Sequence, residues 1–293
     1  MRALLLLAAV AAFAGWRSEP QQRVLFDDFA YRDVPQLRAH GWIVRSKAGW
    51  PGVAGASWTG DNVSFHRGVL RMTSSTDGTA KGTTQTQLCH ARKYREGTYA
   101  ARVRFRDRPL SGPPGDHVVE TFYAISPYRA PLEPSFSEVD FEYLPNGGWG
   151  VAEPTLYVTT WETFSPEPNW IAINTHARLP GRRGGWHVLV VQVANGSVTY
   201  WVDGARLGTH GGDFYPEVPM SINFNLWFIH DGLLPAGPVR RYAEDVDWVF
   251  HRAGKALSPA EVLAAVSGLR RAGVAFRDTV PAARPRLDSP CAL

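Results

Sequence analysis

The chain has only two cysteines among its 293 residues, Cys89 and Cys291, so at most one internal bridge can form. An exported protein permits that bridge, but two free thiols fit the sequence equally well, because sequence alone does not set the distance between them. The nine histidines include no His-x-x-x-His pair and no zinc-protease spacing, which argues against a catalytic metal. No Gly-x-Ser-x-Gly elbow and no phosphate-cradling glycine loop occurs. The net charge is +4, yet the basic residues are dispersed, as in Arg102, Arg104 and Arg106 or Arg182 and Arg183. A nucleic-acid binder would carry a concentrated basic stripe, so no such partner is expected. Long apolar runs are also missing apart from Ala3 to Ala12. That run is too short to span a bilayer. With Arg2 before it and Ala12-Phe13-Ala14 after it, it reads as an export signal over residues 1–14. The expected mature chain is soluble, secreted, free of the membrane once the signal is removed, and by default a monomer.

Aromatic residues are abundant: eleven Trp, ten Tyr and fourteen Phe. They favour strands and also suit surfaces that stack on ligands. Residues 15–23 read as a polar linker. From 24 to 252 the chain is a succession of short strands broken by Gly, Pro, Asn and Asp, with clear segments at 68–73, 98–106, 117–126, 137–144, 155–161, 186–194, 197–202 and 219–228. With no strand–helix alternation, this pattern predicts an all-β fold, a two-sheet sandwich forming one domain. Residues 253–293 hold one helix and a tail. Ser258 as N-cap, Pro259 at the first helical position and Glu261 as the partner of a capping box start a helix over 259–271, which Gly273 stops. The Pro/Ala/Arg-rich tail beyond is expected to be extended or disordered.

The stretch Ser137-Glu-Val-Asp-Phe-Glu-Tyr143 carries the chemistry. Side chains alternate faces along a strand, so Glu138, Asp140 and Glu142 share one face while Val139, Phe141 and Tyr143 turn to the core. Three carboxylates in a row repel one another, and burial or crowding spreads their titration, so that one stays ionised while another keeps its proton. Glycoside hydrolysis needs that division of labour, and its retaining form needs carboxyl groups about 5–5.5 Å apart. Four residues along a flat strand separate Cα atoms by roughly 13 Å, so the two Glu side chains must lean inward over a concave sheet. Neighbouring segments supply similar faces. Ser221, Asn223, Asn225 and Trp227 share one side of 219–228; Tyr157, Thr159 and Trp161 share one side of 155–161; Gln85 and Gln87 share another. Amides pair with sugar hydroxyls and aromatic faces pack on ring C–H groups.

These residues resemble glycoside hydrolase family 16, the β-jelly-roll enzymes that include lichenases, laminarinases and xyloglucan-modifying enzymes. The Glu-x-Asp-x-Glu stretch at 138–142 is similar to that family's signature. Trp58-Thr-Gly-Asp-Asn-Val63, Gly97 to Val103, Trp201-Val-Asp-Gly204, Asn225-Leu-Trp227 and Asp245-Val-Asp-Trp-Val249 extend the likeness over about 24–252. The resemblance implies a jelly roll with a concave substrate cleft and an endo-acting, retaining hydrolase of a β-linked polysaccharide, with β-1,3 or mixed β-1,3/1,4-glucan favoured. It implies Glu138 as nucleophile, Asp140 as its electrostatic support and Glu142 as acid and base. Gln87, Tyr157, Trp161, Asn225 and Trp227 would line the cleft. It also implies a possible structural calcium ion on the convex side with Asp247 as a ligand, and no cofactor for catalysis. The same fold serves transglycosylases and non-catalytic, lectin-like glycan binders, which stay open as alternatives. The carboxylate row argues against the latter, because a binder has no need of it.

Overall fold

The computed structural model describes residues 22–166, 168–289 and 291. The expected export signal and residues 15–21 of the linker lie outside them. In chain order the elements are β1 (Val24–Asp27), α1 (Val34–Ala39), β2 (Trp42–Val44), β3 (Ser57–Trp58), β4 (Val63–Phe65), β5 (Leu70–Thr76), β6 (Thr84–His90), β7 (Gly97–Phe105) and β8 (Val118–Ile125). They continue with β9 (Glu138–Leu144), β10 (Thr155–Ser165), β11 (Ile171–Pro180), β12 (Gly185–Ala194), β13 (Ser197–Val202), β14 (Ala205–Gly211) and β15 (Ser221–Phe228). The chain closes with β16 (Arg240–Ala253), α2 (Pro259–Arg271) and β17 (Phe276–Asp278).

One sheet has the order β2-β6-β15-β8-β9-β10-β11, every pair antiparallel. The other is built on β16, which pairs with β1 and β5 at different parts of its length and with β7, followed by β12, β13 and β14. Leu88, Phe122, Phe141 and Phe224 from the first sheet meet Ala101, Val103, Val191 and Val249 from the second in one apolar core. Alternation then forces Gln87, Tyr123, Asp140 and Asn225 onto the opposite, groove side of the first sheet. The sandwich inferred from strand alternation is therefore the observed architecture.

Helix α2 spans the residues that its capping signals predicted, and the reciprocal Ser258–Glu261 box is formed. Its Val262 and Val266 pack on Phe26, Val190 and Phe250, the outward residues of the second sheet. The tail departs from expectation. Far from being loose, β17 pairs with β1, Lys93 Nζ donates to Asp278 at 2.5 Å, and Cys291 is bridged to Cys89. Nothing periodic marks these contacts in the sequence, because they depend on residues about two hundred positions upstream.

Two carboxyl groups lie between the sheets. Glu120 on β8 accepts from the backbone N–H of Arg106, and Glu244 on β16 accepts from that of Thr121 at 3.3 Å. Both are buried, and Glu244 Oε1 has no partner among the described residues. Burial pushes both groups well above the ordinary glutamate value of 4.5, and the Glu244 charge pushes Glu120 further. A folded-state pKa above the unfolded one means that the native state binds more protons, so stability falls as pH rises past 4.5. Glu244→Gln keeps an acceptor for Thr121 and removes one charge. Its denaturant midpoint should exceed that of the parent at pH 7 and converge with it below pH 4.5; equal pH slopes for the two would refute this.

Candidate active site

The site forms where β9 crosses the middle of the groove. Register fixes the neighbours: Trp161, Thr159 and Tyr157 of β10 stand opposite Glu138, Asp140 and Glu142. Ile125, Tyr123 and Thr121 of β8 flank them on the other side. Between β9 and β10 the chain turns through Gly147 and Gly148, both at positive φ. A Cβ on Gly147 would lie 2.3 Å from the Val151 carbonyl oxygen, so the turn that brings β10 against β9 needs glycine there.

Asp140 is buried and held by two donors: the Thr159 N–H at 3.1 Å on Oδ1 and Trp161 Nε1 at 3.1 Å on Oδ2. Glu138 and Glu142 are each only partly accessible. Burial raises all three groups. Asp140 rises to about 7, tempered by its hydrogen bonds; Glu138 is raised further by the Asp140 charge, and Glu142 by those of Asp140 and Glu138. Three such groups cannot ionise together. The donors around Asp140 place the first negative charge on the Glu138–Asp140 pair, and that charge keeps the proton on Glu142. One ionised group beside one protonated group is the arrangement that glycosidic cleavage needs.

Trp161 doubles as a donor to Asp140 and as part of an aromatic wall with Phe164 and Trp170. Removing its N–H disfavours the charged form of Asp140, which moves that pKa upward. Trp161→Phe should therefore shift the acidic limb of a kcat/KM–pH profile, centred near pH 7 in the parent, to higher pH; an unmoved limb would dissociate Trp161 from the ionisation. Tyr157 and Trp227 converge on the exposed ring of Trp149, at 5.7 and 6.4 Å between centroids. Trp149, 46% exposed, thus joins Tyr157 and Trp227 in one aromatic cluster beside the carboxylates.

Gln87 and Asn225 sit on the groove face as alternation predicted, but they are not free. Gln87 Oε1 accepts from Arg45 Nη1 at 2.8 Å, and its Nε2 donates to the Tyr123 hydroxyl at 2.7 Å; Asn225 Nδ2 also approaches that hydroxyl at 3.3 Å. A guanidinium only donates, so Arg45 fixes which way the Gln87 amide points. Arg45 carried no signal in the sequence; Tyr123 was readable from the alternation of 117–126.

Asp247 does not fit the calcium expectation. Its carboxylate is faced by Arg102 at 2.7 Å and Arg270 at 2.8 Å, which hold its pKa low against the burial that raises it. A cation site needs several oxygen ligands. Among the described residues no group of three or more His, Cys, Asp or Glu is placed to hold a metal ion. Asp247 instead ties α2 to the second sheet through Arg270.

No protein-family model matches the chain, and no curated protein is recognisably similar to it in sequence. Solved structures are similar in fold. The β-glucanase of Bacillus licheniformis superimposes with a TM-score of 0.57 at 14% identity, covering 80% of this chain and 99% of that one. Porphyranase B from Zobellia galactanivorans gives 0.60 at 15%, covering 81% and 95%. The kappa-carrageenase from Pseudoalteromonas carrageenovora, solved with an oligotetrasaccharide of kappa-carrageenan, gives 0.54 at 17%, covering 83% and 99%. The chain thus has the jelly-roll fold seen in these glycan-cleaving enzymes.

Proposed function

We propose that this protein is a retaining glycoside hydrolase, exported from the cytoplasm, that cuts a β-linked polysaccharide. The observation that carries the reading is the row Glu138–Asp140–Glu142, aligned on the groove face with Asp140 clamped by Thr159 and Trp161. In this reading Glu138 attacks the anomeric carbon while Glu142 gives its proton to the departing oxygen. A covalent glycosyl ester on Glu138 and a shortened chain result. Glu142, now ionised, takes a proton from water as the water oxygen attacks the same carbon, and Glu138 leaves with its bonding pair. Two displacements preserve the anomeric configuration. Asp140, held by Thr159 and Trp161, orients Glu138 and shares its negative charge before the attack and again as Glu138 departs.

The family likeness of the sequence favours β-1,3 or mixed β-1,3/1,4-glucan. The fold is shared with a β-glucanase, a porphyranase and a carrageenase, so a substrate panel must include galactans as well. The Cys89–Cys291 bridge fits an oxidising compartment. The test is release of reducing ends from β-1,3-glucan, mixed β-1,3/1,4-glucan, β-galactan and xyloglucan, with NMR of the first-formed anomer. Retained configuration supports the reading; inverted configuration or no release refutes it. Products longer than the starting oligosaccharide would point to transfer onto a sugar instead of water, and glycan binding without any cleavage would point to a lectin-like role.

A further inference from the structure

The groove is asymmetric about its carboxylates. On the β10–β11 side the groove opens beyond β10: Tyr157 and Thr159 are 8% and 5% exposed, but His176 and Arg178 of β11 face solvent, and Trp149 and Trp170 are 46% and 48% exposed. On the β15–β6 side the groove-facing residues are covered. Asn223 and Cys89 are 0% exposed, and Gln87 and Asn225 are 3% exposed.

Two segments do the covering. Loop 46–56 is fastened onto the floor by Arg45, which donates to Gln87 Oε1 at 2.8 Å and to the carbonyls of Lys47 and Trp50 at 2.8 and 3.1 Å. The Val53 N–H reaches Gln85 Oε1, and Gly52, at φ +101°, lies so near Gln85 that a Cβ would be 2.2 Å from that same oxygen. From this anchorage Trp50 reaches across to β10 and stacks on Phe164, with centroids 5.2 Å apart and planes at 29°. The second segment is the tail, which Cys291 pins to Cys89 on β6. Cys89, Asn223, Tyr123 and Asp140 are register partners on successive strands. At the usual strand spacing the pinned tail therefore stands about 14 Å from Asp140 along the groove.

A polymer cut in mid-chain needs room to continue on both sides of the broken bond. Building on the hydrolase reading above, we infer that the groove is blind on the β15–β6 side, closed by loop 46–56, which Trp50 braces against Phe164, and by the Cys89–Cys291 strap, so that the enzyme cuts a short, fixed distance from a chain end. This differs from the endo mode expected from the sequence, and the two modes make opposite predictions for viscosity. Trp50, Arg45 and the bridge are then specificity determinants; none of them touches the reacting atoms.

The experiment follows viscosity against reducing ends released, together with oligosaccharide length, on β-1,3-glucan, mixed β-1,3/1,4-glucan and β-galactan. Wild type is compared with Trp50→Ala and with the double variant Cys89→Ser/Cys291→Ser. The wild type should release one or two short products with little loss of viscosity, and each variant should broaden the ladder and lower viscosity further per bond cut. An immediate collapse of viscosity with a broad ladder from the wild type would overturn the blind groove while leaving the hydrolase reading intact. Identical product ladders from wild type and Trp50→Ala would overturn the role of the loop, and this comparison stands even if the cysteine variant does not fold. No cleavage of any polymer by the wild type would refute the hydrolase reading and this inference with it.

Discussion

Glu138→Gln is expected to lower kcat by roughly four to six orders of magnitude, the range seen when a covalent nucleophile is removed from an otherwise intact site. The amide is nearly isosteric, so KM and glycan binding should change little; what is lost is the charge that attacks the anomeric carbon. Two further measurements separate this role from mere packing. With Glu138→Ala, a small anion such as azide has room to take the place of the carboxylate, and turnover should return with the opposite anomeric configuration in the product. With Glu142→Gln, the loss should depend on the leaving group. Polysaccharide cleavage needs the proton that Glu142 holds and should fall steeply, while a glycoside whose aglycone departs without a proton should still load Glu138. If Glu138→Gln kept a tenth or more of wild-type kcat, the assignment of nucleophile would be wrong.

The largest stability loss is expected at Arg240. This side chain and Asp116 are both buried. Arg240 Nε and Nη2 grip the two carboxylate oxygens at 2.7 and 2.9 Å, and the Tyr242 hydroxyl and the Leu234 N–H complete the set. Arg240→Met leaves the Asp116 charge without its counter-ion in a site that water does not reach. Breaking such a buried pair from one side costs about 3–5 kcal/mol. Converted at the usual slope for a chain of this size, that lowers Tm by about 10 °C. Asp116 also anchors the segment around Leu234, so the damage should spread to the 231–238 loop. Adding Asp116→Asn to Arg240→Met should recover part of the loss, because a neutral amide tolerates burial better than a lone charge. A calorimetric scan showing less than about 1 kcal/mol for the single variant would mean that the pair is solvated in the folded state.

Strand alternation made much of this architecture readable, and the misses have physical causes. Strand β11 escaped notice because both of its faces are largely exposed, so its composition lacks the apolar period that marks a half-buried strand. Strand β16 was hidden by its own buried charges: Glu244 and Asp245 interrupt the apolar run, and only their partners, Thr121 for the one and Arg71 and Arg106 for the other, make that tolerable. Helix α2 was legible to the residue because capping is a local code. The carboxylate row was legible for the same reason, since a period of two needs no knowledge of the rest of the chain. What hides Gln87 and Asn225 was not legible. Loop 46–56 and the tail reach them from distant parts of the sequence, and a Gly-rich loop or a Pro-rich tail shows nothing of where it will lie. Asp247 matched the family pattern in sequence, but its charge is spent on Arg102 and Arg270.

The long strand β16 is hydrogen-bonded to β1, β5 and β7, whereas β11 joins the molecule through β10 with few further contacts to β14. Local opening free energies follow such differences, grading from the best-connected strands to the rim. The two banks of the groove are thus mechanically unequal. The plugged bank is an anvil, riveted by a guanidinium and a covalent bond; the open bank is a jaw, hydrogen-bonded along one side only. Any give that a stiff glycan needs in order to seat itself has to come from the jaw.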